Sequence, residues 1–292
     1  MANSSRLDRV YAQLLCNHPY GWALFKKVTT KDIFPGVCGF FDTDGDWHPL
    51  VNLNDPSSLA DSNMTVPGTG IGKRREPESM VWGPKQSGST SSNSIGSTVG
   101  TSLVVAPVEA SVTVSFESSD DKGAVLITES PVWKNQIGDE REALQWMAEN
   151  TDVMLRRYGD IIKRHGIWIV AKTYSTRRCA IAVMTSQASA VEIGLGADVQ
   201  GLLTLKPESR WTKNTGSSCT ELHEDGSGVV AFMSGIYFSQ KPLRSKLRHT
   251  RDQHQQRNKI FRGEEGQGDE NILDVDGDVE LHVQHYPPLA ER

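Results

Sequence analysis

Hydrophobic positions along this chain change their period several times, and each change marks an element. From Leu7 to Cys16 and from Trp22 to Val28 apolar residues recur at helical spacing. This predicts two short amphipathic helices, the second projecting Lys26 and Lys27 beside Trp22 and Phe25. Residues 36–53, GVCGFFDTDGDWHPLVNL, set apolar stretches on either side of an Asp-Gly turn and predict a strand pair. A loop rich in Gly, Pro and Ser follows, carrying Lys73, Arg74 and Arg75 and then Trp82 and Lys85.

Residues 86–102 are a Ser/Thr/Gly tract that suits either a flexible linker or a weak strand. Immediately after it Ala110, Val112, Val114 and Phe116 alternate with Ser111, Thr113 and Ser115, the period of a strand with one apolar face. Asp139 to Gly166 returns to helical spacing, with a break expected at Asn150 to Asp152. A mostly apolar strand is expected from Ile167 to Tyr174, a turn at Arg177 and Arg178, and a second apolar strand from Cys179 to Thr185.

The most informative segment is SAVEIGLGADVQGLL, where Val191, Ile193, Leu195, Ala197, Val199 and Leu203 alternate with Glu192, Gly194, Gly196, Asp198 and Gln200. A half-buried antiparallel strand on a globular core produces this pattern. So does a strand that crosses a bilayer, which takes about 9 to 11 tilted residues, apolar outward and polar inward. Two regions, 88–128 and 176–205, supply such alternation and are the candidate inserting hairpins. A last strand, Gly228 to Phe238, ends the apolar region, and the composition then shifts abruptly.

With 37% hydrophobic residues in 292, the chain can bury one large core or two small ones. The net charge of -5 gives no global pull toward nucleic acid or anionic lipid, so such binding must come from local basic clusters, and no nucleic-acid partner is expected. Without an eighteen-residue apolar run or a basic-then-apolar start, neither a helical span nor a secretory signal is expected, and the chain is expected in the cytoplasm. Cys16, Cys38, Cys179 and Cys219 lie far apart, as isolated reduced thiols do.

Candidate chemistry is sparse. The runs starting at Asp42 and Asp274 resemble the opening of a calcium loop, but Trp47 and Val279 stand where its sixth-place glycine is needed. The glycines of GTGIGK and GLGADV lack the endings of phosphate and dinucleotide loops. Of eight histidines, His223, His249, His254, His282 and His285 sit in polar stretches expected to be solvated. No catalytic residue, metal or cofactor is expected, and the chain is not expected to be an enzyme.

Read in order, LFKKVTTKDI, FDTDGDWHPLVNL, the helical block before GIWIVAKTYSTRRCAIAVMTSQASAVEIGLGADVQG, and GSGVVAFMSGIYF resemble the pore-forming domain of the gasdermin family over residues 22–240. The resemblance rests on order and pattern. With 52 residues after Gln240, the chain is similar to the short-tailed members found in fungi, which act in heterokaryon incompatibility. It implies an α+β fold, a twisted and mostly antiparallel sheet with flanking helices, that converts to a membrane β-barrel when many copies assemble at the plasma membrane. It further implies acidic phospholipids and an activating serine protease as partners. Lys26, Lys27, Lys73, Arg74 and Arg75 are then the lipid-binding candidates, and Val112, Val114, Phe116, Val191, Ile193, Leu195 and Val199 the lipid-facing ones.

The division expected is a pore-forming domain over 1–240 and a tail over 241–292. Residues 241–262 hold eight basic residues and one acidic, and 263–292 hold nine acidic and one basic. Such a segment suits solvated disorder, or an autoinhibitory cover whose acidic hairpin around Asp276-Gly277 docks on the basic lipid-binding residues. The junction IYFSQKPLRSK offers an accessible cut at Phe238. A β-rich interaction module that binds a protein or nucleic acid through its basic segment, with no membrane step, is the alternative that the sequence leaves open.

Overall fold

The computed structural model describes residues 6–68, 71, 76–98, 111–197, 202–240, 271–273 and 281–286, with side chains excluded at 95–98, 111, 197 and 271–273. In chain order the elements are α1 (Leu7–Leu14), β1 (Trp22–Ala23), β2 (Val37–Phe41), β3 (Trp47–Asn52), α2 (Pro56–Asp61), β4 (Glu78–Met80), β5 (Lys85–Gln86), β6 (Thr90–Thr98), β7 (Ser111–Ser118), β8 (Gly123–Thr128), β9 (Val132–Gln136) and α3 (Glu140–His165). There follow β10 (Ile167–Met184), β11 (Ala190–Ala197), β12 (Leu203–Thr204), β13 (Trp211–Thr215), β14 (Ser218–Gln240), β15 (Asn271–Leu273) and β16 (Leu281–Tyr286). The fold is α+β, and its sheets are mostly antiparallel and strongly curled.

Two long strands carry the rest. β10 and β14 pair antiparallel from Ile167↔Phe238 to Met184↔Ser218, with register shifts near Ala171, Tyr174 and Arg177. On the far side of β10 lie β2, then β9, then β8. β1 and β16 add to β14. The shifts let one long ladder bend, because each bulge increases local twist. The turn expected at Arg177 and Arg178 is therefore a bulge inside an 18-residue strand. Ala124–Thr128 and Cys179–Met184 are buried without interruption because both faces of the sheet are covered here. Ala124, Leu126, Cys179, Ile181 and Val183 pack toward α1, while Val125, Ile127, Ala180, Ala182 and Met184 face the second sheet.

The helix over 140–165 is unbroken where a break is expected. Asn150 Nδ2 donates to the Trp146 carbonyl at 2.7 Å, and Thr151 Oγ1 donates to the Met147 carbonyl at 2.7 Å. Their polar side chains are satisfied within the helix and against Thr65 rather than competing with its backbone. Asp139 caps its N-terminus, and Trp146, Met147, Met154 and Ile162 bury its inner face against Ile167, Ile169, Ile236 and Phe238.

The second predicted helix is not one. From Trp22 the chain is extended beside β14, with Leu24 N–H donating to the Ala231 carbonyl at 3.0 Å and Val230 N–H to the Val28 carbonyl at 2.9 Å. Gly21, at φ +100°, makes the approach possible, since a Cβ there would sit 2.3 Å from the Met233 carbonyl oxygen. The hairpin over 36–53 is present, and its turn is held by Asp42, whose Oδ1 accepts from the N–H groups of Asp44 and Asp46 at 2.9 Å each.

The last apolar strand does not stop at Phe238. β14 continues to Gln240, and Phe238, fully buried, lies between Ile167 on one side and Val283 on the other. The described part of the tail belongs to the same sheet. β15 and β16 pair with each other around the Asp276-Gly277 segment, and β16 lies along Gly235–Gln240. The acidic residues around Asp276-Gly277, and Lys73, Arg74 and Arg75 on which they are expected to dock, lie outside the described residues. Leu281 and Val283 enter the core beneath α3, Tyr286 packs against Trp22 and Trp168, and His285 approaches Glu140 at 3.7 Å. The expectation of solvated histidines also fails at His223 and His282, both buried. Leu281→Ala is expected to lower the unfolding free energy by about 2–5 kcal/mol, whereas Leu222→Ala, at an exposed position, is expected to stay within about 0.5 kcal/mol. Urea midpoints of the two full-length variants measure this, and equal midpoints would contradict the docked strand.

Candidate functional site: a small sheet folded over the main one

The two regions of alternation meet. β7 and β11 pair antiparallel, placing Val112 opposite Leu195, Val114 opposite Ile193 and Phe116 opposite Val191. β6 extends this sheet beyond β7, and β12 and β13 extend it beyond β11. Cross-strand apolar pairs of this kind are the unit of sheet stabilisation. Here they also make one continuous apolar face. Val114, Phe116, Val191, Ile193 and Leu195 are buried and Val112 partly so, all packed against Val125, Ile127, Ala180, Ala182, Met184 and Leu205. The small side chains of Ala180 and Ala182 leave room for the large ones that descend from the second sheet. Val199 lies outside the described residues.

Within 88–128 the consecutive strands β6 and β7 pair antiparallel, but neither 88–128 nor 176–205 taken whole is a single hairpin in this structure. Each starts or ends in a different sheet: β7 in the small sheet is followed by β8 in the main one, and β10 in the main sheet by β11 in the small one. The Gly123 and Ser186–Ser189 corners carry the chain between layers. At the second corner, Ser186 Oγ and Ser189 Oγ lie 2.7 Å apart and both accept from the Ser217 N–H. On the opposite strand face, Glu192 pairs with Lys213 at 3.0 Å.

Polar stitches hold the return segment of the small sheet to the main one. Thr204 Oγ1 donates to the Thr128 carbonyl at 2.7 Å and accepts from the Ser130 N–H at 3.0 Å. Arg178, buried at the bulge of β10, donates from Nη1 to the Lys206 carbonyl at 3.0 Å and from Nη2 to Glu224 Oε2 at 2.6 Å. One guanidinium thus joins β10, β14 and the segment after β12. Sequence reading missed Arg178 because an Arg-Arg pair among polar residues reads as a turn, and only the ladder shows which of the two faces inward.

Of the basic candidates, Lys26 and Lys27 are among the described residues, and each meets a different carboxylate. Lys26 pairs with Asp46 of the β2–β3 turn at 2.8 Å, and Lys27 with Asp225 of β14 at 3.4 Å. Lys26 sits at a bend just after β1, and the two ammonium groups reach partners on different elements. Both pairs are solvent-exposed, and such pairs are weak enough for a phosphate to displace. Lys73, Arg74 and Arg75 lie outside the described residues. Beside Lys27 the His223 imidazole is pushed down to about 4, by burial first and then by the Lys27 charge. Asp225 is held down at about 2, chiefly by hydrogen bonds from Ser227. No described helix is long and apolar enough to cross a membrane, which says nothing of crossing by strands.

Two outcomes are expected. The unfolded chain protonates His223 near 6.5 but the folded one only near 4, so stability should fall as pH drops through that interval. Denaturation midpoints measured across it should fall less steeply in His223→Gln, and an identical acid limb would exclude this histidine as the cause. Arg178→Met, by orphaning the Lys206 carbonyl, should cost about 1–3 kcal/mol and speed amide exchange at 203–209 more than in α1. Uniform acceleration across the molecule would argue against a local stitch. Compared with models of known protein families and with curated proteins, the chain matches none.

Proposed function

We propose that this chain is a gasdermin-like pore-forming protein that lyses cells. It rests as a monomer in the cytoplasm, then assembles on the inner face of the plasma membrane and inserts the segments 88–128 and 176–205 as two β-hairpins per protomer. The observation that carries the reading is the small sheet. The two alternating segments lie side by side, and their apolar residues are stored against the main sheet rather than in a core of their own. Peeling this sheet away uncovers Val112, Val114, Phe116, Val191, Ile193 and Leu195 together. A bilayer is a phase that can cover them again, and the alternate residues, Thr113, Ser115 and Glu192 among them, would then face a wet lumen. Unpaired strand edges cannot face lipid, so insertion requires a closed ring of many copies. Lys26 and Lys27, with Lys73, Arg74 and Arg75, supply attraction to acidic phospholipid, each worth about 1 kcal/mol near the surface.

Activation is by removal of β15 and β16. Phe238 lies wholly inside the sheet, so a cut there would need β14 to unfold first, and the proposal places the activating serine-protease cut after Gln240 instead. Losing β16 bares the Gly235–Gln240 edge of β14 and unseats Leu281 and Val283 from beneath α3. The chain ending at Gln240 is expected to release dye from vesicles containing acidic phospholipid, and the full-length chain to release far less. Ile193→Lys should abolish release, but it would also disrupt the resting core, so Glu192→Lys and circular dichroism serve as companions. No release by the shortened, folded chain would refute pore formation. Equal release by both chains would refute inhibition by the tail.

A further inference from the structure

Where the main sheet bends, it forms an open cavity of about 530 Å³, within the size range of small-molecule sites. Its floor is a patch of four residues in register. Thr173 stands opposite Asn135, and Ser175 opposite Trp133. Alternate residues of paired strands share a face, so all four present their side chains to the same side. One wall is apolar, formed by Ile33, Phe34 and Pro35.

The rim is built by two irregularities facing each other. On β10 the register passes from Thr176 to Arg178 and skips Arg177; on β14 it passes from Val229 to Glu224 and skips residues 225–228. Bulges of this kind re-aim side chains and recur beside functional sites. The β14 bulge is held in shape: Asp225 Oδ1 accepts from Ser227 N–H at 2.9 Å and from Ser227 Oγ at 2.7 Å, and Thr30 Oγ1 donates to the Ser227 carbonyl at 2.6 Å. Asp225 is also committed to Lys27, at 3.4 Å. Arg177, exposed at this rim and lining the cavity, makes no ion pair with a described residue. Trp133 is 44% exposed although its strand lies between two others, an unusual placement for an indole.

We propose that this cavity binds an anionic polyol, meaning a sugar or inositol that carries a phosphate or a carboxylate. An indole face covers the C–H surface of a polyol ring, the amide and hydroxyls of Asn135, Thr173 and Ser175 match ring hydroxyls, and the planar guanidinium of Arg177 takes the anion through two parallel hydrogen bonds. The apolar wall excludes water from one side of the ring. This site stands apart from the small sheet and does not depend on the pore-forming reading.

Titration calorimetry of the full-length protein tests it, with glucose 6-phosphate and myo-inositol 1-phosphate as probes and free myo-inositol and inorganic phosphate as comparisons. The phosphorylated polyols are expected to bind more tightly than either part alone. Arg177→Gln should weaken them about tenfold or more, Arg177→Lys should lose less, and Trp133→Ala should weaken all ring-bearing probes while leaving inorganic phosphate unaffected. Both altered positions are exposed, and thermal melts check that the variants stay folded. Vesicles of phosphatidylcholine with and without a phosphoinositide then separate a lipid headgroup from a free ligand, because competition by soluble myo-inositol 1-phosphate shows whether both use the site. The proposal is overturned if neither phosphorylated polyol binds, if inorganic phosphate binds equally well, or if folded Arg177→Gln and Trp133→Ala retain full affinity.

Discussion

The antiparallel ladder between β10 and β14 is the constraint on which the rest of the structure depends. Strands this long cannot stay flat. Their right-handed twist accumulates, and three register shifts convert it into a bend. The bend divides the ladder into two stretches with different covers. In the stretch from Ile167 to Lys172, α3 lies on one face, with the aromatic cluster of Trp22, Trp168, Tyr237 and Tyr286 on the other. In the stretch from Cys179 to Met184, α1 lies on one face and the small sheet on the other. The open cavity sits between the two, at the bulge, where the sheet turns from one pair of covers to the next.

The small sheet and the main sheet are held together by forces of different kinds. Apolar contact between Val114, Phe116, Val191, Ile193 and Leu195 and the alanine-bearing face beneath them is non-directional, and scales with the area kept from water. The polar stitches at Thr204 and Arg178 fix position, since a hydrogen bond must meet its partner in direction as well as distance. An apolar face of this kind gains almost as much in lipid as in the protein interior. The stitches gain nothing in lipid, so they bias the layer toward the folded-over arrangement.

A similar division of labour holds the C-terminal strand. Backbone pairing places β16 on the edge of β14, Leu281 and Val283 seat it in the core, and its His285 meets a charged group from another element. Glu140, at the first turn of α3, lies between His285 and Lys172, and its carboxyl is held below the usual range, first by the hydrogen bond with His285 and then by the Lys172 charge, despite burial. The tail's segregated charges therefore do not describe how its end is held. That is done by two apolar residues, a register and one carboxylate.

Alternation was legible in the sequence because it is local: Val112 to Phe116 and Val191 to Leu195 declare one apolar face whatever covers it. The hairpin around Asp42, the long helix and the strand character of Ile167–Met184 were legible for the same reason, each being set by residues a few positions apart. What lies against each face was not. A lipid-facing strand and a core-facing strand have the same period, and only the tertiary structure places β7 and β11 together on Ala180 and Ala182. Trp22–Val28 has helical spacing, yet β14 offers its backbone more partners as an extended strand. Arg177 and Arg178 are neighbours with the same chemistry, and a bulge sends one to solvent and the other into a buried clamp. Phe238 reads as the end of a strand because its last partner, Val283, lies some forty-five residues further along, and contacts across that separation leave no periodic trace.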